Sequence, residues 1–456
     1  MQRSRNGRTR ASRSASFDGR APRGRALQRA YSIAALPSAP VPPEGRPLPE
    51  AQHPSSELSE LRELLRTAGA AGVGELVQRR EKPHPNTYLG TGKLEECKAA
   101  IAAADANLVA CDDELSPRQE RNLEAALGVP VIDRTAIILD IFASHAHSAE
   151  GKLQVELAQL EYNLARMRGL WSHLERLGGG IGTRGPGETQ IETDRRLARD
   201  RIAALKRKLA QMRCSRAVMR SERERAHLPS VALAGYTNAG KSSLLNALTG
   251  ADAGVGDRLF HTLDPTTRVL RAGGRDYLLT DTVGFIRKLP HQLVDAFGAT
   301  LQETRSADLI LHVVDASASE EELLQMAVAV EDVLSEIGAE EASRVLVLGK
   351  ADLIDDERRA ELAHRHPDAV LVSALSGEGV QALAQRIEDE FARTLQEVVL
   401  LIPYREGGRL AELHELAGDL QREDTAEGAR LRVRLPPTVA ARYARFALGG
   451  AVPATG

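Results

Sequence analysis

An apolar run leads directly into the sequence GYTNAGKS at residues 235–242, which has the spacing of a phosphate-binding loop. Gly235 and Gly240 allow backbone conformations that turn successive NH groups towards phosphate oxygens. Lys241 can place its charge at the terminal phosphates, and Ser242 can offer its hydroxyl to a magnesium ion. The helical pattern that follows adds the positive end of its dipole. These residue types at this spacing predict a nucleoside triphosphate site.

A second motif, DTVG at residues 281–284, closes an apolar strand pattern downstream of this loop. Its carboxylate, Asp281, can hold the magnesium ion through a water molecule. The NH of Gly284 can sense whether a terminal phosphate is present. A phosphate loop alone does not distinguish ATP from GTP, or a kinase from a switch. Motifs later in the chain are needed to make these distinctions.

Two further short motifs follow apolar strand patterns later in the chain: GKAD at residues 349–352 and SAL at residues 373–375. In this order they resemble the guanine-reading elements of the GTPase superfamily. The resemblance implies that Asp352 accepts hydrogen bonds from the guanine ring and that Lys350 covers its face. Guanine is therefore the expected base.

The base-reading segment departs from the usual pattern at its first position, where Gly349 stands in place of asparagine. Glycine has no side chain to bridge the base and the phosphate loop. Losing one neutral hydrogen bond costs about 1 kcal/mol. We therefore expect weaker nucleotide affinity with retained preference for guanine, since Asp352 remains.

The first switch is expected in the sequence FHTLDPTTR at residues 260–268, between the phosphate loop and DTVG. Thr262 is the preferred second hydroxyl on magnesium, with Thr266 and Thr267 as alternatives. Phe285 follows DTVG, where many GTPases place a glutamine that orients water. An apolar ring cannot do this, so no catalytic residue is assigned and intrinsic hydrolysis should be slow.

The predicted metal ligands are Ser242 and Thr262, and the predicted cofactors are Mg²⁺ and bound GTP or GDP. The predicted nucleotide-binding residues are Gly235, Tyr236, Thr237, Asn238, Ala239, Gly240, Lys241, Ser242, Ser243, Phe260, His261, Thr262, Leu263, Asp264, Asp281, Thr282, Val283, Gly284, Gly349, Lys350, Ala351, Asp352, Ser373, Ala374 and Leu375.

The composition of the 456 residues is that of an ordinary soluble protein, with 42% apolar, 27% charged and only 3% aromatic residues. So few aromatic residues disfavour base stacking as the main way of gripping nucleic acid. No apolar run approaches the length of a membrane span, and three scattered cysteines fit neither a zinc site nor a disulfide framework. We expect a monomer in the cytoplasm with no membrane partner.

Five regions are predicted along the chain. Residues 1–55 hold ten arginines and three acidic residues among many Ser, Ala and Pro, which predicts a disordered basic tail, with a transit peptide as an alternative. Alternating strand and helix patterns predict an α/β subdomain at 56–147 and a doubly wound, mostly parallel GTPase domain at 226–395. A small α+β domain is expected at 396–450.

Residues 148–225 are expected to form an antiparallel helical hairpin, because apolar residues recur there in alternating steps of four and three on both sides of a glycine-rich turn. The second helix is strongly basic. Between Arg195 and Arg225 there are twelve Lys or Arg residues against three acidic residues. A solvated helix face is one interpretation, but such an excess repels itself, so contact with RNA is favoured.

The sequences GYTNAGKSS, FHTLDPTTR and DTVGFIRKLP, together with the upstream YLGTGK and GGGIGTRGPGETQIETDRR, closely resemble the HflX family of ribosome-associated GTPases over about residues 75–445. The resemblance implies binding to the large ribosomal subunit and its RNA, and splitting or rescue of stalled ribosomes or assistance in ribosome biogenesis. It also implies that the glycine-rich loop and hairpin project into ribosomal RNA.

Two alternatives stay open. The glycine-rich loop could cradle the phosphates of a second nucleotide, although no strand pattern precedes it. The chain could also be a regulatory GTPase that acts on a protein complex through a coiled-coil arm, which predicts an association that nuclease does not disrupt.

Overall fold

The computed structural model describes residues 28–37, 58–167, 186–225, 228–251, 259–260, 262–288, 298–339, 342–416 and 420–448. The chain divides into two compact units. The first unit holds residues 1–146 and 155–203, and the second holds residues 147–154 and 204–456.

The first unit is built on a parallel sheet of four strands, which are β1 (Arg29–Leu36), β2 (Ala71–Arg79), β3 (Leu108–Cys111) and β4 (Val131–Asp133). The helices around them are α1 (Ser59–Ala68), α2 (Thr91–Ala103), α3 (Pro117–Leu127) and α4 (Arg134–His145). The strand order is β2-β1-β3-β4. Helix α3 begins where the sequence signals it, because Ser116 and Gln119 form a capping box ahead of Pro117.

Strand β1 corrects the prediction of a disordered tail over residues 1–55. It pairs in parallel with both β2 and β3, and Ala30, Ile33 and Ala34 are fully buried. Its apolar sequence RAYSIAAL is short and surrounded by Arg, Ser and Pro, so the average composition of the segment concealed it. Its partners come from much later in the chain. The rest of the predicted tail lies outside the described residues.

Two long helices occupy the region expected to form the hairpin, α5 (Ala149–Arg166) and α6 (Pro186–Arg225). Arg201 of α6 forms an ion pair of 2.7 Å with Glu156 of α5. The last part of the glycine-rich segment, from Pro186, is helical rather than a turn. Its first part, residues 178–185, lies outside the described residues.

The second unit contains a six-stranded sheet made of β5 (Ser230–Gly235), β6 (Thr266–Ala272), β7 (Arg275–Asp281), β8 (Leu309–Asp315), β9 (Ser343–Gly349) and β10 (Val370–Leu371). Its helices are α7 (Lys241–Thr249), α8 (Gly298–Arg305), α9 (Glu320–Glu336), α10 (Asp356–Arg365) and α11 (Val380–Arg393). The strand order is β10-β9-β8-β5-β7-β6, and only the β6–β7 pair of this sheet is antiparallel. This doubly wound, mostly parallel sheet confirms the predicted fold class.

A three-stranded antiparallel sheet follows, formed by β11 (Gln396–Ile402), β12 (Leu420–Asp424) and β13 (Ala429–Leu435). The helices beside it are α12 (Gly407–Leu416) and α13 (Pro437–Arg442). Its order is β11-β13-β12, and β13 alternates strictly between buried and exposed residues. One face of this sheet therefore carries the apolar core of the C-terminal module.

Across the described ranges, no helix combines the length and the apolar character that crossing a membrane requires.

Candidate nucleotide-binding site

The phosphate loop connects the carboxyl end of β5 to the start of α7. Gly235 packs so closely on β8 that a Cβ atom there would lie under 3.0 Å from the carbonyl oxygen of Val313. Gly240 has a φ angle of 93° and Asn238 one of 60°, so the loop turns sharply twice in the left-handed region. The strand, loop and helix thus follow one another in the order that the sequence predicted.

Lys241 is buried beneath this loop. Its Nζ donates hydrogen bonds to the carbonyl oxygens of Gly235 and Tyr236, at 2.9 and 2.7 Å. Burial lowers the pKa of Lys241 to about 8, while the negative charge of Asp281 raises it. Phosphate oxygens would offer this ammonium group stronger, charged partners than two carbonyls do.

Three oxygen-bearing side chains converge next to the lysine. The hydroxyl of Ser242 lies 2.6 Å from Oδ2 of Asp281 and 2.9 Å from the hydroxyl of Thr262. Burial raises the pKa of Asp281, and the charge of Lys241 lowers it. The structure thus brings both predicted metal ligands together, on elements 20 residues apart in the chain.

This cluster fits a magnesium ion. Magnesium prefers oxygen ligands, takes few of them from the protein and uses substrate phosphates and water for the rest. Oδ1 of Asp281 is buried and has no hydrogen-bond partner among the described residues, so it can accept from a metal-bound water. Within those same residues no group of three His, Cys, Asp or Glu side chains could hold a metal. The hydroxyls of Ser242 and Thr262 would be the direct ligands of such an ion.

The DTVG segment packs against the phosphate loop. A Cβ on Gly284 would lie 2.8 Å from Cα of Thr237 and 3.0 Å from Nζ of Lys241. The NH of Thr237 donates to the carbonyl of Phe285 at 2.8 Å, and the NH of Phe285 donates to Gly235 at 3.1 Å. The backbone at Gly284 is thus held where a terminal phosphate would lie, whereas the side chains of Thr282 and Val283 are buried.

Phe285 is fully buried, with 0% of its surface exposed. Its side chain therefore belongs to the core and does not reach into the phosphate site. The hydroxyl of Thr237 is also buried, and none of the described residues provides it with a hydrogen-bond partner. A polar atom left in this state beside Gly284 is one that a bound terminal phosphate could satisfy.

The first switch shows a mixture of predicted and unpredicted contacts. Phe260 and Leu263 are each 2% exposed and anchor the segment in the protein. Of the alternative metal ligands, Thr266 begins β6, and the hydroxyl of Thr267 contacts that of Thr280 at 3.0 Å. His261 lies outside the described residues.

Asp264, a predicted nucleotide-binding residue, contacts a distant part of the chain. Its carboxylate accepts hydrogen bonds from the backbone NH groups of His147 and Ser148. Sequence spacing could not reveal this contact, because the partners are 116 and 117 residues away in the chain.

The base-reading segment lies at the carboxyl ends of β9 and β10. Oδ1 of Asp352 accepts a hydrogen bond from the hydroxyl of Ser373 at 2.6 Å, which fixes the carboxylate. Nζ of Lys350 lies 2.6 Å from Oδ2 of Asp315, a residue that the sequence did not single out. Leu375 is highly exposed.

Gly349 stands next to the phosphate loop. A Cβ added there would lie 3.3 Å from the carbonyl oxygen of Ala239. A longer side chain at this position would therefore reach the loop, but only if the neighbouring backbone shifts by a few tenths of an ångström.

Phosphate loop, switch segments and base-reading segment lie together on a doubly wound sheet, and they define a P-loop GTPase. Three family profiles match the chain: a GTP-binding GTPase N-terminal region over residues 55–143, a GTP-binding GTPase middle region over 145–223, and a 50S ribosome-binding GTPase over 230–350. The chain belongs to the HflX family of GTPases.

Two relatives named GTPase HflX support this assignment. The GTPase HflX of Lacrimispora saccharolytica is 48% identical over 85% of this chain and 91% of its own length. The GTPase HflX of Escherichia coli is 44% identical over 83% of this chain and 90% of its own length. A crystal structure of a GTP-binding protein from Sulfolobus solfataricus in complex with GDP is 25% identical and covers 80% of this chain and 98% of that one, with a TM-score of 0.41.

Proposed function

We propose that this GTPase binds the large ribosomal subunit in its GTP- and Mg²⁺-bound form and acts in the cytoplasm on stalled ribosomes, by splitting or rescuing them, or in ribosome biogenesis. Its intrinsic hydrolysis is slow, and ribosomes stimulate it. The name of the profile matched by residues 230–350, a 50S ribosome-binding GTPase, supports a ribosomal partner.

The observation that carries the proposal is the basic surface of α6. Arg196, Arg199, Lys206, Arg207 and Lys208 are all exposed. Arg201, in the same stretch, forms an ion pair with Glu156 of α5. Ribosomal RNA would neutralise this charge and release counterions, which gives binding energy without base recognition.

The apolar positions of α6 fit the same proposal. Ala198, Leu205 and Leu209 are buried, at spacings of seven and four residues. One stripe of the helix is thus used for packing, and the basic residues occupy the remaining faces. A helix presented in this way can meet the phosphate backbone of RNA with several cations at once.

Cosedimentation with 50S subunits tests the proposal. Binding should be strong with a non-hydrolysable GTP analogue, weaker with GDP, and lost after nuclease treatment of the subunits. Replacing Arg199, Lys206, Arg207 and Lys208 with Gln should weaken binding and reduce its salt dependence, because fewer counterions are released.

A matched control removes the same charge elsewhere. Arg271, Arg393, Arg430 and Arg445 are exposed on other elements, and their replacement with Gln should leave subunit binding intact. Wild-type affinity and salt slope in the α6 variant would reject RNA docking by this helix. Association that survives nuclease would instead favour a regulatory GTPase that uses the hairpin as a coiled-coil arm.

A further inference from the structure

Asp264 ties the first switch to the start of α5. Its carboxylate accepts hydrogen bonds from the NH groups of His147 and Ser148, at 3.1 and 2.7 Å, and from the hydroxyl of Ser148. These partners belong to the same compact unit as the phosphate loop. The carboxylate therefore binds the two NH groups that immediately precede the first turn of α5 and lies at the positive end of the helix dipole.

Gly151 makes this approach possible. It lies within the first turn of α5, and a Cβ there would stand under 3.0 Å from Oδ1 of Asp264. Its NH donates to the hydroxyl of Ser148 at 2.8 Å, so that hydroxyl both donates to the carboxylate and accepts from the helix. A helical glycine costs about 1 kcal/mol relative to alanine. We call Ser148, Gly151 and Asp264 the switch clasp.

The switch clasp is close in sequence to Thr262, one of the proposed magnesium ligands. Thr262, whose hydroxyl is 2.9 Å from that of Ser242, precedes Asp264 by two residues. The intervening Leu263 is 2% exposed, so the link is packed in place. Two residues span at most about 7 Å. The clasp is therefore joined to Thr262 through a single buried residue.

We propose that Asp264 is a positioning residue for GTP hydrolysis, acting through the switch clasp to hold Thr262 at the metal site. The proposal rests on the magnesium-binding role proposed for Thr262. Without the clasp, the segment samples other positions and fewer molecules have the metal site complete. Hydrolysis then slows, while GDP binding is unchanged, because GDP lacks the terminal phosphate that orders this switch.

A double-mutant cycle tests the proposal on the full chain. Asp264→Asn and Ser148→Ala should each lower kcat for GTP by about fivefold or more with unchanged GDP affinity. The double variant should be no slower than the slower single variant, since both remove one contact. Gly151→Ala should also slow hydrolysis, because the added Cβ at the start of α5 would crowd the carboxylate of Asp264. Gly408→Ala, the matched change near the start of α12 where a Cβ meets nothing within 4 Å, should not.

The outcomes distinguish a failure of the switch clasp from a failure of the magnesium-binding role proposed for Thr262. Wild-type kcat in Asp264→Asn and Gly151→Ala, or a double variant whose losses multiply, would overturn the switch clasp. Thr262→Ala is the discriminating reference. If it hydrolyses GTP slowly while Asp264→Asn is normal, only the clasp fails; if Thr262→Ala itself is normal, the metal role of Thr262 fails and the clasp proposal with it.

Discussion

At the scale of single residues, Lys241 dominates the energetics of the phosphate site. It is buried, and its partners are two neutral carbonyl oxygens. Triphosphate binding would give this cation charged partners in a region of low dielectric constant, where such contacts are strongest. No other lysine among the described residues of the loop can replace it.

Lys241→Ala should therefore abolish tight GTP binding. Isothermal titration calorimetry measures this directly, with retention of cooperative unfolding as proof that the variant folds. Lys98→Ala, which changes an exposed lysine on α2, should bind GTP like the wild type. Unchanged GTP affinity in the folded Lys241→Ala variant, or a wild-type preference for ATP, would reject the assignment.

Gly349→Asn should tighten GDP binding by up to about tenfold, because the added amide can bridge the base and the phosphate loop. The Cβ position, 3.3 Å from the carbonyl oxygen of Ala239, shows that the side chain would adjoin the loop. Gly349→Ala is the matched control, because it adds the same crowding without the amide and should not tighten binding. Equal or weaker GDP affinity in Gly349→Asn would show that the backbone cannot shift enough.

Residue spacing predicted those contacts that local motifs impose. The glycines, lysine and hydroxyl of the phosphate loop lie within eight residues, and Thr262, preferred by its place between two motifs, lies with its hydroxyl 2.9 Å from that of Ser242. Tertiary packing decides the remaining contacts. The partner of Lys350, Asp315, is 35 residues away, and the partners of Asp264 are more distant still. Neither helix nor strand periodicity in the sequence predicts contacts between residues so far apart.

At the scale of elements, buried strands were predicted best and exposed or isolated ones worst. Strands β5, β8 and β9 are mostly apolar because the parallel sheet is covered on both faces. Edge strand β6, TTRVLRA, begins with three polar residues and contains several exposed positions, so residues 266–268 were interpreted as part of the switch. Strand β1 is buried, but its flanks are basic and its partners lie far along the chain.

Strand β8 carries a partly buried titratable group, His312, that should make stability depend on pH. Burial, together with the positive charge of Arg344, lowers the pKa of His312 from 6.5 to about 4. The unfolded chain therefore binds a proton near pH 6.5, whereas the native chain binds it only near pH 4. Stability should fall as pH decreases through this window, by up to about 3 kcal/mol.

Urea unfolding across that window measures the effect. His312→Leu should show a flatter dependence of unfolding free energy on pH, because its Nε2 has no hydrogen-bond partner among the described residues and little is lost by removing it. His364→Leu changes an exposed histidine on α10 and should keep the wild-type dependence. Identical pH profiles for His312→Leu and the wild type would show that His312 does not carry the effect.

At the scale of the whole molecule, the nucleotide site and the basic helix α6 have different roles in the proposed function. The site has a phosphate loop, a metal cluster and a base-reading carboxylate, but Phe285 is fully buried where many GTPases present a water-orienting glutamine. This arrangement supports the proposal that the chain by itself binds nucleotide but hydrolyses it slowly. The basic face of α6 offers a way to make hydrolysis depend on a polyanionic partner.

We therefore expect the free protein to hydrolyse GTP slowly and 50S subunits to raise the rate by at least about tenfold, by ordering the switch at Thr262. The α6 variant, with Arg199, Lys206, Arg207 and Lys208 changed to Gln, should need a higher subunit concentration for half-maximal stimulation. Its maximal rate and its GTP affinity without ribosomes should equal those of the wild type, because the substitutions weaken docking and leave the nucleotide site intact. Titrating subunits at several salt concentrations separates these quantities. A lower maximal rate at saturation would mean that the helix acts on the active site itself, and an unchanged titration curve would mean that the stimulating contact lies on another surface.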